Sequence, residues 1–458
     1  MNRIIDKLKV NILKFIWLFL ISCTNYDKHP TWSGDISELI YTNCSPCHRD
    51  NGNAPFALLT YEQVKAKANR IHWATKTRYM PPWPADPTYR HFLYERVLSD
   101  TQIKMLSLWI TSGMPWGDRT IQPKPPDFPN GSFFRKPDLV LHLQHAVKLS
   151  GNGRDSFVIA KFPYQLPKDT LLDFVEFVPG IKRRVHHVNG HLLSYFRNSA
   201  NPFKGIETFG DSKVKRDSVY AAMGLKYNDA QSPDFPVLTP NTVYYLPGYL
   251  PFAYPDTWGG VVLKKTGAFL LNTIHYGPSL HNQSDSSLLN VFFRSSPIKR
   301  PFSEAQIGSF GLAPVTPDLI IPANQKPKFT SALKLEKKIS LLSVNPHMHQ
   351  TGATFKAYAL KPNGDTIPII RILKWDFRWQ YYYTFEYPVI LDAGTWIKLE
   401  ATFDNTAQNP NNPFRPPRTI TSGNGIESMK STEEMLQLIF TYAPYRKGDE
   451  TRFLKRTF

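Results

Sequence analysis

The stretch GVVLKKTGAFLLNTIHY, residues 260–276, decides the fold. Apolar, β-branched and aromatic residues fill it in short runs, a texture that suits pleated, half-buried strands. The same texture returns in DSFVIAKF (155–162), TVYYLPGYL (242–250) and TWIKLEATF (395–403), with turn residues between the runs. Everything after residue 138 therefore reads as all-β sandwich. No cysteine lies in that region, so no disulfide can staple it, and no internal repeat is visible. The chain has 458 residues, too many for one ordinary core, so two to four domains are expected. With 41% hydrophobic and 20% charged residues it is globular rather than disordered.

Lys and Arg number 55 against 37 Asp and Glu, a net charge of +18. That balance favours an acidic membrane surface, an acidic partner or an anionic substrate. Nucleic acid is not expected: the basic residues are scattered, with no helix carrying a dense Lys/Arg stripe and no RNA-binding aromatic motif.

The histidines of the β region are its informative feature. RRVHHVNGHLL (183–193) holds His186 and His187 side by side, and NTIHYGPS (272–279) holds His275 on an apolar strand. VNPHMHQTG (344–352) holds His347 and His349 two apart, which puts both on one face of a strand, where they can grip a single ion. Adjacent strand residues point to opposite faces, so a shared ion at His186 and His187 requires a bulge or a strand end. STEEMLQLIFTY (431–442) sets Met435 just before another strand. Imidazole together with thioether suits copper, whose reduced form accepts soft ligands. FDNTAQNPNNPFRP (403–416), dense in Asn and Pro, reads as a structured loop, with Ca²⁺ as an alternative.

Upstream, NCSPCHRDNGNAPF (43–56) contains two of the three cysteines in the chain. Cys44, Cys47 and His48 form C-x-x-C-H, which is either half a zinc site or a covalent haem attachment. No second Cys/His pair follows nearby to complete a zinc site. In the haem reading the two thiols form thioethers to the porphyrin and His48 binds iron. The sixth ligand is expected to be Met80 in RYMPPW, where Pro81 and Pro82 stop a helix; His72, His91 and Met114 are the alternatives. Ser99 and Gln102 form a capping box opening a helix through Ile103, Leu106 and Ile110 that stops at Gly113. Residues 34–118 thus read as a small all-α c-type cytochrome, and the proline-rich stretch at 119–137 as a semi-rigid linker.

The N-terminus carries an address. Arg3, Lys7, Lys9 and Lys14 precede an apolar run, Phe15 to Ile21, that is too short to span a bilayer. It ends in LISC, Leu20 to Cys23, which resembles the lipobox of bacterial lipoproteins. Residues 1–22 are then a lipoprotein signal peptide, Cys23 the lipidated mature N-terminus and 23–33 a tether. The protein is expected in a bacterial cell envelope, membrane-anchored and facing the periplasm or the cell surface.

From about residue 140 to 445 the motifs HH, HYG, HxH and EM, in this order, resemble the copper type II, ascorbate-dependent monooxygenases, the family of peptidylglycine alpha-hydroxylating and dopamine beta-monooxygenase. The resemblance implies two jelly-roll-like β-sandwich lobes, here 138–298 and 299–458, each holding one copper. It implies that His186, His187 and His275 hold an electron-storing copper. His347, His349 and Met435 would hold the copper at which oxygen is bound and would carry the catalysis. The implied cofactors are two copper ions, beside one covalently attached haem c. The implied reaction inserts one atom of O₂ into a C–H bond of a small-molecule or peptide substrate, with electrons from an external donor such as an ascorbate-like reductant or a redox protein. The chain departs from the animal members in lacking their disulfides. The amidating enzyme's substrate-carboxylate Arg, two positions before HxH, is here Asn345, and its Tyr four positions beyond the methionine ligand is Ile439, so peptide amidation is not implied. His191 and His281 have no assigned role. The alternative is a non-catalytic haem- or copper-binding electron-transfer lipoprotein on the same scaffold; two different ligand sets favour the enzyme.

Overall fold

The structure is a computed structural model, and it describes residues 29–50, 52, 54–128, 132, 135–194, 201–210, 216–225, 237–247, 258, 261–423 and 431–454. The expected signal peptide and the lipidation site Cys23 lie outside the described residues. The chain divides into two compact units.

The first unit comprises residues up to 44, 58–80 and 98–125, and it is helical. A π-helical turn (Trp32–Ile36) runs into α1 (Ser37–Asn43); α2 (Tyr61–Lys65), α3 (Ala68–Lys76) and α4 (Asp100–Thr111) follow. α4 opens on the box read from sequence: Ser99 Oγ accepts from the Gln102 N–H, and the Gln102 side chain accepts from the Ser99 N–H. Gly113, at φ +82°, lies just past its end. Leu106 and Trp109 are buried, whereas Ile103 and Ile110 are only half-buried. The small core is aromatic, with Trp109 6.1 Å from Trp32 and 6.3 Å from Tyr61 between ring centroids. Each such pair adds about 0.5–1.5 kcal/mol beyond the area it buries.

The second unit is mainly β and contains residues 45–57, 81–97 and everything from 126 on. Its strands are β1 (Leu139–His142), β2 (Val147–Leu149), β3 (Ser156–Gln165), β4 (Thr170–Val178), β5 (Val185–Ser194), β6 (Thr208–Gly210), β7 (Val237–Tyr245), β8 (Val261–Leu263), β9 (Thr266–Tyr276), β10 (Gln283–Asp285) and β11 (Leu288–Phe293). They continue with β12 (Ser303–Gly308), β13 (Ile320–Ile321), β14 (Lys328–Lys334), β15 (Ile339–Met348), β16 (Gly352–Leu360), β17 (Thr366–Ile372), β18 (Tyr383–Leu391), β19 (Trp396–Phe403), β20 (Ile420–Thr421) and β21 (Leu436–Pro444).

Two antiparallel sheets, β6-β3-β9-β5-β7 and β1-β11-β4-β8, share one core. Phe162, Val188, Phe269 and Ile274 enter it from the first sheet, and Leu172, Val175, Leu289 and Val291 from the second. The sheets β12-β21-β15-β18 and β14-β19-β16-β17 share another core, with Leu341, Val344 and Leu438 facing Phe355, Leu399 and Phe329. Sheets facing across a common core make β-sandwich architecture. In β19 the alternation is strict: Ile397, Leu399, Ala401 and Phe403 are buried and the residues between them are not.

Residues 45–57, with Cys47 and His48, and residues 81–97 fall inside the range expected for the cytochrome, yet both segments cluster with the β unit. Ala85 bridges Ile372 of β17, Phe92 enters the β14–β21 core, and Asp86 pairs with Arg371 at 2.7 Å. Burial of two apolar side chains against a sheet distant in sequence outweighs continuity along the chain.

Candidate metal centre

β5 begins with an irregularity of the kind that an ion shared by adjacent histidines would require. Its register against β9 shifts between Val185 and His187, so one extra residue sits on the β5 side. His187 then lies directly opposite His275. The His186 and His187 rings each stand 4.8 Å from the His275 ring, centroid to centroid. His187 and His275 bring their Nδ1 atoms to 3.4 Å. Two tetrahedral ligands at about 2.0–2.1 Å from one ion stand roughly 3.3 Å apart, so this pair is spaced for a shared ion.

Asp155 fixes which nitrogen of His275 is offered. Its Oδ1 lies 2.8 Å from His275 Nε2, which donates to it and leaves the Nδ1 lone pair toward His187. The Phe157 ring stacks on that of His275, with centroids 4.4 Å apart. His186 lies against Gly277, where a Cβ would come within 2.3 Å of His186 Nε2, so any larger residue there displaces the ring. Burial pushes His187 well below the ordinary imidazole value and His186 down to about 4. Both are therefore neutral at physiological pH, the form that binds metal.

The second set is built differently. His347 ends the buried run of β15, and its Nδ1 meets Gln380 Oε1. The Nδ1 of His349 donates to the Glu433 carbonyl at 2.7 Å. Both rings therefore spend Nδ1 on the protein, so Nε2 is the nitrogen a metal would take, and their centroids are 5.1 Å apart. Burial pushes His347 down to about 4. Met435 precedes β21, and the β15–β21 register pairs Met348 with Leu436, so Met435 continues the ladder beside His349. Glu434 ties the two segments together: its Oε2 accepts from the backbone N–H of His349 at 2.9 Å and of Met435 at 3.3 Å. Its Oε1 accepts from Thr351 N and Oγ1 at 2.6 and 2.7 Å.

The loop between β17 and β18 joins the two sets. It carries Gln380 and also Trp375, whose Nε1 donates to the His349 carbonyl at 3.0 Å. Its Phe377 ring lies 6.0 Å from His187, 5.8 Å from His275 and 5.6 Å from His349. Sequence reasoning missed Asp155, Gln380, Glu434 and Phe377. The dense run WDFRWQYYY, 375–383, was the signal for this loop.

Around the C-x-x-C-H motif, Cys44 caps α1 through its N–H to the Ile40 carbonyl at 2.8 Å, and Cys44 and Cys47 are not disulfide-bonded. The Nδ1 of His48 donates to the Phe56 carbonyl at 3.1 Å, which leaves Nε2 as its ligand atom. Burial lowers the pKa of His48 and raises that of the Cys47 thiol, which Arg96 opposes from 4.0 Å. At Gly52 a Cβ would come within 2.3 Å of the Cys47 carbonyl, so the turn after the motif needs glycine. Met80 is half-buried in the loop after α3, and its N–H donates to the Ala74 carbonyl at 3.1 Å. Among the alternatives, His72 lies on α3, His91 is exposed and pairs with Glu95 at 3.2 Å, and Met114 has φ +59°.

Asn345 is buried and donates to the Tyr381 carbonyl at 2.9 Å, and it lies opposite Ile439. His191 is half-buried on β5 and His281 is an exposed loop residue. In the 403–416 loop Asn405 Oδ1 accepts from Asn412, and Asp404 is taken by Thr406 and Lys326. Those oxygens serve protein donors.

No protein-family model matches the chain, and no curated protein matches it. Solved structures that align with it include infectious bursal disease virus Gt strain, at 12% identity and TM-score 0.15, over 70% of this chain and 80% of that one. The infectious bursal disease virus VP2 subviral particle aligns at 11% identity and TM-score 0.15, over 72% and 85%. At that TM-score neither likeness bears on fold or function.

Proposed function

We propose that this chain is an exported copper-dependent monooxygenase that hydroxylates a C–H bond, with electrons delivered through a covalently attached c-type haem. The observation that supports it most is the pair of dissimilar histidine sets sharing contact with one phenylalanine, Phe377. His186, His187 and His275 would hold one copper, and His347, His349 and Met435 the other. Bound copper would supply one-electron chemistry with O₂. The chain's own residues do the rest. Asp155 holds the Nε2 proton of His275, and Gln380 and the Glu433 carbonyl hold the tautomers of His347 and His349. Glu434 keeps the methionine segment beside the histidine strand. Cys44, Cys47 and His48 would hold the haem, with Met80 as the second axial ligand; methionine–histidine ligation raises the potential and suits electron transfer. Two all-β copper lobes, an all-α cytochrome and a lipid anchor at Cys23 in a bacterial envelope belong to the same reading.

A second reading has its own observation. Asp155, His186 and His275 offer ligand atoms that all lie within 4.8 Å of one another. If Asp155 binds metal rather than orienting His275, the first set becomes two imidazoles and a carboxylate, which suits iron. Elemental analysis and the absorption spectrum of the purified full chain test both readings, followed by oxygen uptake with a reductant across a substrate panel. Two coppers and one haem per chain with substrate-dependent uptake are expected. Iron beyond the haem, with no copper, overturns the copper assignment.

A further inference from the structure

We infer that the cleft bounded by Arg49, Phe56, Lys182, Arg183, Arg184 and Gln283 is a carboxylate-binding site. Its volume is about 660 Å³. Four lining side chains are cationic, against the carboxylate of Asp50. Arg184 is the residue that decides the chemistry. It is 4% exposed, its Nε donates to the Gly277 carbonyl at 3.0 Å, and its Nη1 donates to Gln283 Oε1 at 3.2 Å. Its Nη2 is buried with no hydrogen-bond partner among the described residues. A buried charged donor left unmet is costly, so a small shift of the Arg184 side chain toward an accepting carboxylate in the cleft is favoured. Arg49 and Lys182 converge on the same space: burial, and then the charge of Arg49, hold the Lys182 ammonium below its ordinary value. An anion between them relieves that repulsion.

The cleft also has a definite place in the chain. Arg49 follows His48, and Arg184 lies two residues before His186 and holds the carbonyl of Gly277, against which His186 rests. The identity of the occupant, though not the chemistry of the site, rests on the proposed function. One source of carboxylate is the porphyrin joined at Cys44 and Cys47; the other is a small free dicarboxylate.

The test uses the full chain as wild type, Lys182→Gln and Arg184→Lys, with haem content read first from the absorption spectrum. Each protein is titrated calorimetrically with succinate, and the midpoint potential of its haem is measured. If the porphyrin carboxylates occupy the cleft, succinate does not bind and the potential falls in Lys182→Gln, because a cation favouring the reduced haem is lost. If a free carboxylate occupies it, succinate binds the wild type and binds Lys182→Gln at least tenfold more weakly, with the potential unchanged. Arg184→Lys keeps the charge and loses the planar fork, so it weakens the same readout; Lys182→Gln decides the matter should Arg184→Lys not fold. No succinate binding together with equal potentials in wild type and Lys182→Gln overturns the inference. A chain without haem refutes the haem assignment alone, and the succinate titration then decides the cleft by itself, with no binding overturning it.

Discussion

At β5 and β9 the paired imidazoles turn Nδ1 toward each other, whereas at β15 both imidazoles spend Nδ1 on a neighbouring oxygen. The difference comes from the partners. Asp155 takes Nε2 of His275, and Gln380 and the Glu433 carbonyl take Nδ1 of His347 and His349. Nδ1 is the ring nitrogen nearer the backbone, so an ion bound there sits close to the sheet and is shielded by it. Nε2 reaches further from the strand, and in the proposed copper reading Met435 would add a thioether to the second set. The two sets therefore differ in reach as well as in ligand type. A tightly seated ion suits holding an electron, and an outward one with a soft ligand suits meeting substrate and O₂.

The comparison breaks most visibly at His275. His275→Ala removes a ligand and the partner of Asp155 together, so bound copper should fall from two equivalents to one, and oxygen uptake to background. Elemental analysis that shows equal loss from both sets would mean a shared ion. Next comes Met435→Ile, which should leave copper content unchanged while abolishing oxygen uptake; full turnover would remove Met435 from the site. A crossed pair sharpens the contrast further. Asp155→Asn should weaken only the first set, and Gln380→Leu only the second, each by about 10–100-fold in metal affinity. Competition with a calibrated chelator reads this, and equal effects on both sets would show that orientation is not local.

A separate effect, on stability rather than on metal binding, concerns how the sandwiches meet. Glu304 on β12 accepts from the Asn241 N–H of β7 at 3.4 Å, and burial, opposed by the Asn241 and Tyr382 bonds, pushes it up to about 7. Unfolded, it titrates near 4.5. Between those values the folded chain keeps a proton that the unfolded chain has released. Stability from this group is whole below about 4.5 and is lost as pH rises through 7. Glu304→Gln should match wild type at pH 4 and exceed it by on the order of 2–3 kcal/mol at pH 8. Thermal melts across that range check it, and a parallel pH profile in both proteins would refute it.

Local features were the legible ones. Alternation gave the strands, the Ser99–Gln102 box gave the start of α4, and β5 carries a bulge of the kind that a shared ion at His186 and His187 would require. Asp155 opens the run DSFVIAKF, and nothing near it in sequence says that it meets His275 120 residues on. Gln380 and Phe377 belong to a loop whose meaning lies in what it touches. The 81–97 segment read as part of the helical module, because Ala85 and Phe92 show their role only against β17 and the second core.

Phe377 touches the rings of His187 and His349 at 6.0 and 5.6 Å, so those rings cannot stand further apart than the two distances laid end to end. Charges at such a separation feel each other, because the screening length is about 10 Å at 0.1 M salt. Two divalent ions bound at the two sets would repel. Loading would then be anticooperative, the second equivalent binding more weakly than the first. The gap between the two affinities would narrow as salt is added, so a copper titration at low and high ionic strength reads the spacing of the two sets directly.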